Sequence, residues 1–218
     1  MVSLVGLGGP QHRRGFGSCG SFFESSLCVR KSMLGHIFRT EAKHSGPRKK
    51  DGELYRGKID NDWGPQTQAA MDSFQRNQGV IPPPWRIIAE RELGVHKTPG
   101  PQATHRIVEY AEHTTLKATS DEIPWCSSFV NFCIDLAGYK GTHNAAARSW
   151  STWASPTNFR YGAIAVLSGG DPSSAMGHVG FAVFRNGNTI ALLAGNQSDQ
   201  VCVHTMTTDR LLTFPWPA

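Results

Sequence analysis

Residues 121–138 read DEIPWCSSFVNFCIDLAG, and the expected architecture follows from them. Pro124 favours the start of a helix over its continuation, and Gly138 favours the end of one. Between these two residues, apolar side chains recur at helical spacing. The pattern predicts a buried helix whose first turn contains Cys126. The apolar stripe of this helix comprises Phe129, Val130, Cys133, Ile134 and Ala137.

Cys126 gains chemical interest from its position in the first turn of this helix. The unpaired N–H groups and the positive end of the helix dipole favour a thiolate, so we expect a lowered pKa. The alternative is a small core residue, a description that suits Cys133 better because it lies within the apolar stripe. The chain has five cysteines and no C-x-x-C pair, so the pattern indicates neither a zinc site nor a disulfide framework.

A base for this thiol is predicted further along the chain. The stretch from Gly177 to Gln197 contains two runs of strand-forming residues separated by Asn186-Gly187, a strong hairpin signal. His178 lies at the start of the first strand, and the end of the second strand returns beside it. A polar side chain there can hold the imidazole in one tautomer. Asn196 is the predicted orienting residue, although spacing does not separate it from Gln197.

Four ordered motifs resemble a cysteine hydrolase family of the CHAP and NlpC superfamily. They are Pro-Trp-Cys-Ser-Ser-Phe-Val-Asn at 124–131, Ala-Arg-Ser-Trp at 147–150, Gly-His-Val-Gly-Phe at 177–181 and Gly-Asn-Gln at 195–197. The resemblance covers residues 121–216. It implies a papain-like α+β fold in which the nucleophile helix packs on an antiparallel sheet. It also implies that Cys126 attacks a peptide-type carbonyl, that His178 takes its proton and that Asn196 orients His178.

Two positions in this region depart from the family pattern. Ala194 replaces a usual glycine, and the stretch 161–166 lacks the acid that the family often has before a strand.

Trp125 and Trp150, with Gln197, are candidate substrate-binding residues that would line a groove. Trp153 is a further candidate. The alternative for the tryptophans is a place in the core.

The preceding residues divide into two further segments. Residues 51–80 predict a helix from about Pro65 to Asn77, and they resemble the second half of a small peptidoglycan-binding domain. An unrelated amphipathic helix is the alternative. Ile81–Pro84 is predicted to be a stiff linker. The hydrolase domain is then expected over 85–218, with two helical patterns at 85–93 and 104–113.

The formal charge of +5 is concentrated at the start of the chain. Residues 1–50 contain nine Lys and Arg and two Glu, a net of +7, whereas the remaining chain has a net of −2. We expect this segment to be a disordered basic leader. It lacks the interleaved aromatic residues of a nucleic-acid reader, so no nucleic-acid partner is predicted. Neither a secretory signal nor a membrane span is recognisable.

The sequence thus predicts a peptidoglycan hydrolase that cleaves an amide bond by Cys–His catalysis, without a metal or cofactor. The bond can lie within the stem peptide or between muramic acid and L-alanine, and the oligomeric state stays open. Without a signal, the protein is expected to be made in the cytoplasm and to reach the wall by release or delivery, as a phage-type lysin or an effector. The alternatives are a wall-binding protein with an inactive hydrolase-like domain and an acyl transferase.

Overall fold

A computed structural model describes residues 79–170 and 175–217, together with Ala69 and Ser73. The predicted leader at 1–50, and the module at 51–80 apart from its last two residues and those two positions, lie outside the described residues. Within the described part, helices precede a five-stranded antiparallel sheet, so the predicted mixed α+β class is confirmed.

Three α-helices form one layer of this structure. They are α1 (Pro84–Arg91), α2 (His105–Glu112) and α3 (Cys126–Leu136). Each lies where its apolar spacing predicted it. Helix α3 is the most apolar, and every residue from Cys126 to Ile134 is buried. Among the described helices, none has both the length and the apolar composition needed to cross a membrane.

The strands form one sheet and a separate two-stranded ribbon. The sheet order is β5-β4-β3-β2-β6, and β1 pairs with β7. The predicted Asn186-Gly187 turn joins β3 and β4, and Gly187 adopts a φ of 53°, which glycine accommodates without strain. The strands are β1 (Ser155–Pro156), β2 (Ile164–Ser168), β3 (Gly177–Asn186), β4 (Thr189–Gln197), β5 (Gln200–Thr207), β6 (Leu211–Thr213) and β7 (Pro215–Trp216). Short 3-10 helices span Ala147–Thr152 and Thr208–Arg210.

The two faces of the sheet bury different sets of side chains. On β3, Val179, Phe181 and Val183 belong to the main core beneath the helices, whereas Ala182 belongs to a smaller cluster with Leu192 on the other side. This separation follows from the two-residue period of a strand. Helix α3 therefore rests on the face that presents the larger apolar side chains.

Contacts around Gly162, just before β2, attach helix α1 to the sheet. The Trp85 indole Nε1 donates a hydrogen bond to the Gly162 carbonyl oxygen over 2.8 Å. Pro83 is buried, and its ring lies so close to Gly162 that a side chain there would clash with it. Pro84 is the first residue of α1. The C-terminal end of the predicted Ile81–Pro84 linker is thus packed against the folded part.

The absence of a side chain at Gly195 sets how closely α3 approaches the sheet. A Cβ atom built on Gly195 would lie 2.7 Å from Trp125 Cε3 and 2.8 Å from Phe129 Cβ. Both distances are far shorter than van der Waals contact, and both partners are buried. The start of α3 can therefore occupy its present position only because residue 195 is glycine.

Gly195→Ala should lower the free energy of unfolding by about 1–3 kcal/mol, because the added methyl group overpacks the contact between α3 and β4. Chemical denaturation followed by circular dichroism measures this change. Gly187→Asn is the matched control: Gly187 faces open space, and asparagine tolerates its positive φ. Equal stability of the Gly195 variant and the wild-type protein would contradict this account of the packing.

Candidate active site

Cys126 is the first residue of α3, and its side chain faces the sheet. Trp125 occupies the N-cap position without a side-chain hydrogen bond to the helix. The backbone N–H groups of Val179, Ser127 and Cys126 itself lie where they can donate hydrogen bonds to the Cys126 sulfur. Val179 directly follows His178 on β3. The thiol thus lies beside the strand segment that carries the predicted base.

The expected lowering of the Cys126 pKa is wrong. Burial raises the pKa of this thiol and outweighs the N–H groups that favour its thiolate. The side chain lies in the main core with only 5% of its surface exposed. A helix N-terminus stabilises a thiolate effectively when water also solvates the sulfur, and here burial removes that water. The resting form of Cys126 is therefore the neutral thiol.

The side chain that orients His178 is Gln197, which is buried and directed at the imidazole, so it does not line a groove as predicted. Gln197 Oε1 accepts a hydrogen bond from His178 Nε2 over 3.3 Å. The Gln197 amide nitrogen faces the carbonyl oxygens of Leu192, Ala194 and Cys202 at 3.3, 3.4 and 2.6 Å. A reversed amide would place its oxygen against those acceptors, so the orientation is fixed. Because Oε1 can only accept, His178 Nε2 must carry the proton.

This assignment leaves the other ring nitrogen, Nδ1, as the proton acceptor of a neutral imidazole. Burial, together with the nearby positive charge of Arg210, lowers the pKa of His178 from 6.5 to about 4, although the bond to Gln197 acts in the opposite direction. His178 is therefore uncharged at neutral pH. A neutral imidazole with one fixed tautomer is the form that a general base requires.

Asn196, the predicted orienting residue, forms no hydrogen bond with His178 in the described part of the chain, where the imidazole is bonded to Gln197 instead. The pairing of β4 with β5 is interrupted between Ala194 and Gln197, and Asn196 adopts a left-handed φ of 58°. Such a bulge changes which of two consecutive side chains faces a given side of the sheet. It turns Gln197 towards His178. The combination of glycine and asparagine at 195–196 was the available sequence signal for this bulge.

The predicted groove-lining role of Trp125 and Trp150 is wrong, because both are core residues. Their exposed fractions are 2% and 0%. Trp150 Nε1 donates a hydrogen bond to Ser127 Oγ over 2.9 Å, and Ser127 Oγ donates to the Asn144 carbonyl oxygen over 2.7 Å. Trp153 is only partly exposed and packs on Trp150, with ring centroids 5.0 Å apart. Trp125 and Trp150 thus belong to the packing around the start of α3.

Sequence reasoning missed two polar groups that the fold assembles from distant residues. Arg210 donates two hydrogen bonds to the carbonyl oxygen of Ser168 at the end of β2. Asp135 binds two imidazoles, His113 Nδ1 at 2.8 Å and His143 Nε2 at 3.1 Å, and thereby joins the ends of α2 and α3 to the following loop. No group of three or more potential ligands suited to a metal ion occurs among the described residues. No local pattern in the sequence pointed to either contact.

The tautomer and charge of His178 can be measured directly. We expect ¹⁵N NMR of the imidazole to show a neutral ring protonated at Nε2 near neutral pH, titrating with a pKa of about 4. Gln197→Glu should raise this pKa by about 1–3 units, because it places a negative charge beside the ring. A wild-type pKa near 6.5, or an Nδ1–H tautomer, would contradict the proposed arrangement.

The neutral state of Cys126 makes a separate prediction. Its alkylation by iodoacetamide should accelerate steadily with pH to about 9 and beyond, without the plateau that thiolate–imidazolium pairs show between about pH 4 and 7. Mass spectrometry of the peptide that contains Cys126 separates its reaction from that of the other thiols. A rate that is already maximal at about pH 7 would show that a thiolate exists at rest.

Compared with protein-family models, curated proteins and solved structures, the chain gives no match. What this site does chemically must accordingly be argued from its own geometry. That geometry consists of a buried thiol at the start of α3 close to the Val179 N–H, a neutral imidazole on the preceding residue of β3, and an amide that fixes the imidazole tautomer.

Proposed function

We propose that this protein is a cysteine hydrolase that cleaves an amide bond in peptidoglycan, with Cys126 as nucleophile and His178 as general base. One observation carries the proposal. The Gln197 amide, held by three backbone carbonyls, leaves His178 Nδ1 as an acceptor on the strand whose next N–H, that of Val179, faces the Cys126 sulfur. Thiol, base and orienting group thus come from α3, β3 and β4.

The reaction begins from a neutral pair. As the Cys126 sulfur attacks the amide carbonyl, its proton moves to His178 Nδ1 and the carbonyl oxygen gains negative charge. His178 then gives that proton to the leaving amine, the C–N bond breaks and a thioester remains. Water, deprotonated by His178, hydrolyses the thioester and restores the thiol. Gln197 stabilises the imidazolium at each stage by accepting the Nε2–H bond.

Helix α3 also supplies a donor for the transient oxyanion. Its first N–H groups have no partner within the helix, and Cys126 occupies the first helical position. The Cys126 N–H is therefore well placed to donate a hydrogen bond to the negative oxygen. An oxyanion donor of this kind typically contributes a factor of about 10²–10³ to kcat.

The four-motif resemblance to the CHAP and NlpC superfamily supports a papain-like arrangement and peptidoglycan as the substrate class. The order of the parts is consistent with it, because a nucleophile helix precedes an antiparallel sheet whose β3 carries the base. Within peptidoglycan, endopeptidase and amidase activity produce different fragments. A stem peptide cut internally yields a new amino terminus, whereas amidase action releases the whole stem.

Cys126→Ser should reduce peptidoglycan cleavage to the background level, because a hydroxyl is a much poorer nucleophile when its only activation is a base with a pKa of about 4. Mass spectrometry of the soluble fragments measures cleavage. Binding of the variant to sedimented cell walls should be retained.

Cys133→Ser is the matched control, since Cys133 lies about two turns further along α3 in the core and is fully buried. It should lower stability by about 1–3 kcal/mol through its unpaired hydroxyl while the folded enzyme keeps its activity. Equal cleavage by the wild-type protein and Cys126→Ser would exclude Cys126 from the mechanism. Wall binding without any cleavage by the wild-type protein would favour a non-catalytic binding protein instead.

A further inference from the structure

Arg210 is held at the end of β2 by its own guanidinium. Its Nε and Nη2 atoms donate hydrogen bonds to the Ser168 carbonyl oxygen over 2.8 and 2.6 Å. Two bonds that converge on one acceptor restrict the plane of the guanidinium and leave Nη1 outside the pair. The side chain belongs to a partly exposed residue. Arg210 is thus an immobilised cation with donor capacity remaining.

The strand register brings this cation to the proposed base. Leu211 pairs with Leu167, and Leu167 pairs with His178 on the next strand. Ser168, the acceptor for Arg210, pairs with Gly177, the residue before His178. The guanidinium therefore lies at the same end of the sheet as the imidazole. Its charge acts on His178, where it disfavours the protonated ring.

Within the described ranges, 79–170 and 175–217, no carboxylate forms an ion pair with Arg210. The ion pairs of the described part join other residues, on the helices and the loops beside them. A partly exposed guanidinium with this fixed geometry, and without an acidic partner there, suits an anionic ligand. Carboxylates bind such a group through charge-assisted hydrogen bonds.

We propose that Arg210 determines substrate specificity by binding a free carboxylate of the substrate close to the scissile amide. This inference rests on the proposed hydrolase function and narrows its substrate class to acidic peptides. Peptidoglycan stem peptides fit this class, because they carry free carboxylates beside their amide bonds. A neutral peptide of the same length would leave the Arg210 charge uncompensated.

The same carboxylate would assist the chemistry. The imidazolium that forms when Cys126 gives up its proton lies in the positive field of Arg210. An anion bound to the guanidinium cancels that repulsion in the transition state, so substrate binding and catalysis are coupled. Arg210 acts here as a specificity-determining and positioning residue, and it does not exchange a proton with the reacting atoms.

The test compares two forms of one substrate. Soluble peptidoglycan fragments are used either with their stem carboxylates free or after conversion of these groups to carboxamides with carbodiimide and ammonia. We expect wild-type protein to cleave the free-carboxylate form with a kcat/KM at least about tenfold higher. In Arg210→Gln this ratio should fall to about one, and Arg210→Lys should give an intermediate ratio because it restores the charge without the paired donors.

The ratio of the two substrates is independent of the fraction of folded enzyme, so a loss of stability in the variant does not obscure the result. Arg185→Gln is the matched control, because Arg185 is exposed at the opposite end of β3, and its ratio should equal that of the wild-type protein. Equal wild-type rates on both substrates, or an unchanged ratio in Arg210→Gln, would overturn the inference while leaving the hydrolase intact. Cleavage of neither substrate would instead overturn the proposed function.

Discussion

The close approach of α3 to β4 at Gly195 underlies the whole candidate site. A glycine there lets the Trp125 ring and Phe129 lie directly on the strand. That contact fixes the start of α3, and it thereby brings the Cys126 sulfur to the Val179 N–H group on β3. A thiol placed by packing of this kind is held more rigidly than one carried on a loop, since dense apolar contacts leave it few alternative positions.

A second constraint runs through hydrogen bonds instead of packing. Backbone carbonyls on β4 and β5 fix the Gln197 amide, and the amide in turn fixes the proton on His178 Nε2. The sheet itself therefore sets the tautomer of the base. The bulge at Asn196 contributes to this arrangement, because it interrupts the alternation of side chains between the two faces of β4 just before Gln197. In a strand without this bulge, Asn196 would face His178 in place of Gln197.

The sequence predicted those parts of the site that depend on local periodicity. Helix α3, the β3–β4 hairpin and the positions of Cys126 and His178 all follow from apolar spacing and a two-residue turn. Spacing alone could not separate Gln197 from Asn196, because a bulge shifts the register by one residue, and the Gly195-Asn196 pair was the local sign of that bulge. The sequence predicted a buried helix, but it did not decide how deeply Trp125 and the Cys126 thiol lie in the core; that depth makes Trp125 a core residue and raises the pKa of Cys126.

Burial favours the uncharged form of both Cys126 and His178. It raises the pKa of the Cys126 thiol and lowers that of the His178 imidazole, so both shifts oppose a resting ion pair. In the proposed reaction, charge separation therefore arises during attack, when the N–H groups around the sulfur and the Gln197 oxygen can stabilise it without moving. Under the proposed mechanism, the thiol stays protonated, and therefore poorly reactive, until a substrate supplies the carbonyl. Low reactivity at rest suits a nucleophile that should react only after the correct substrate has bound.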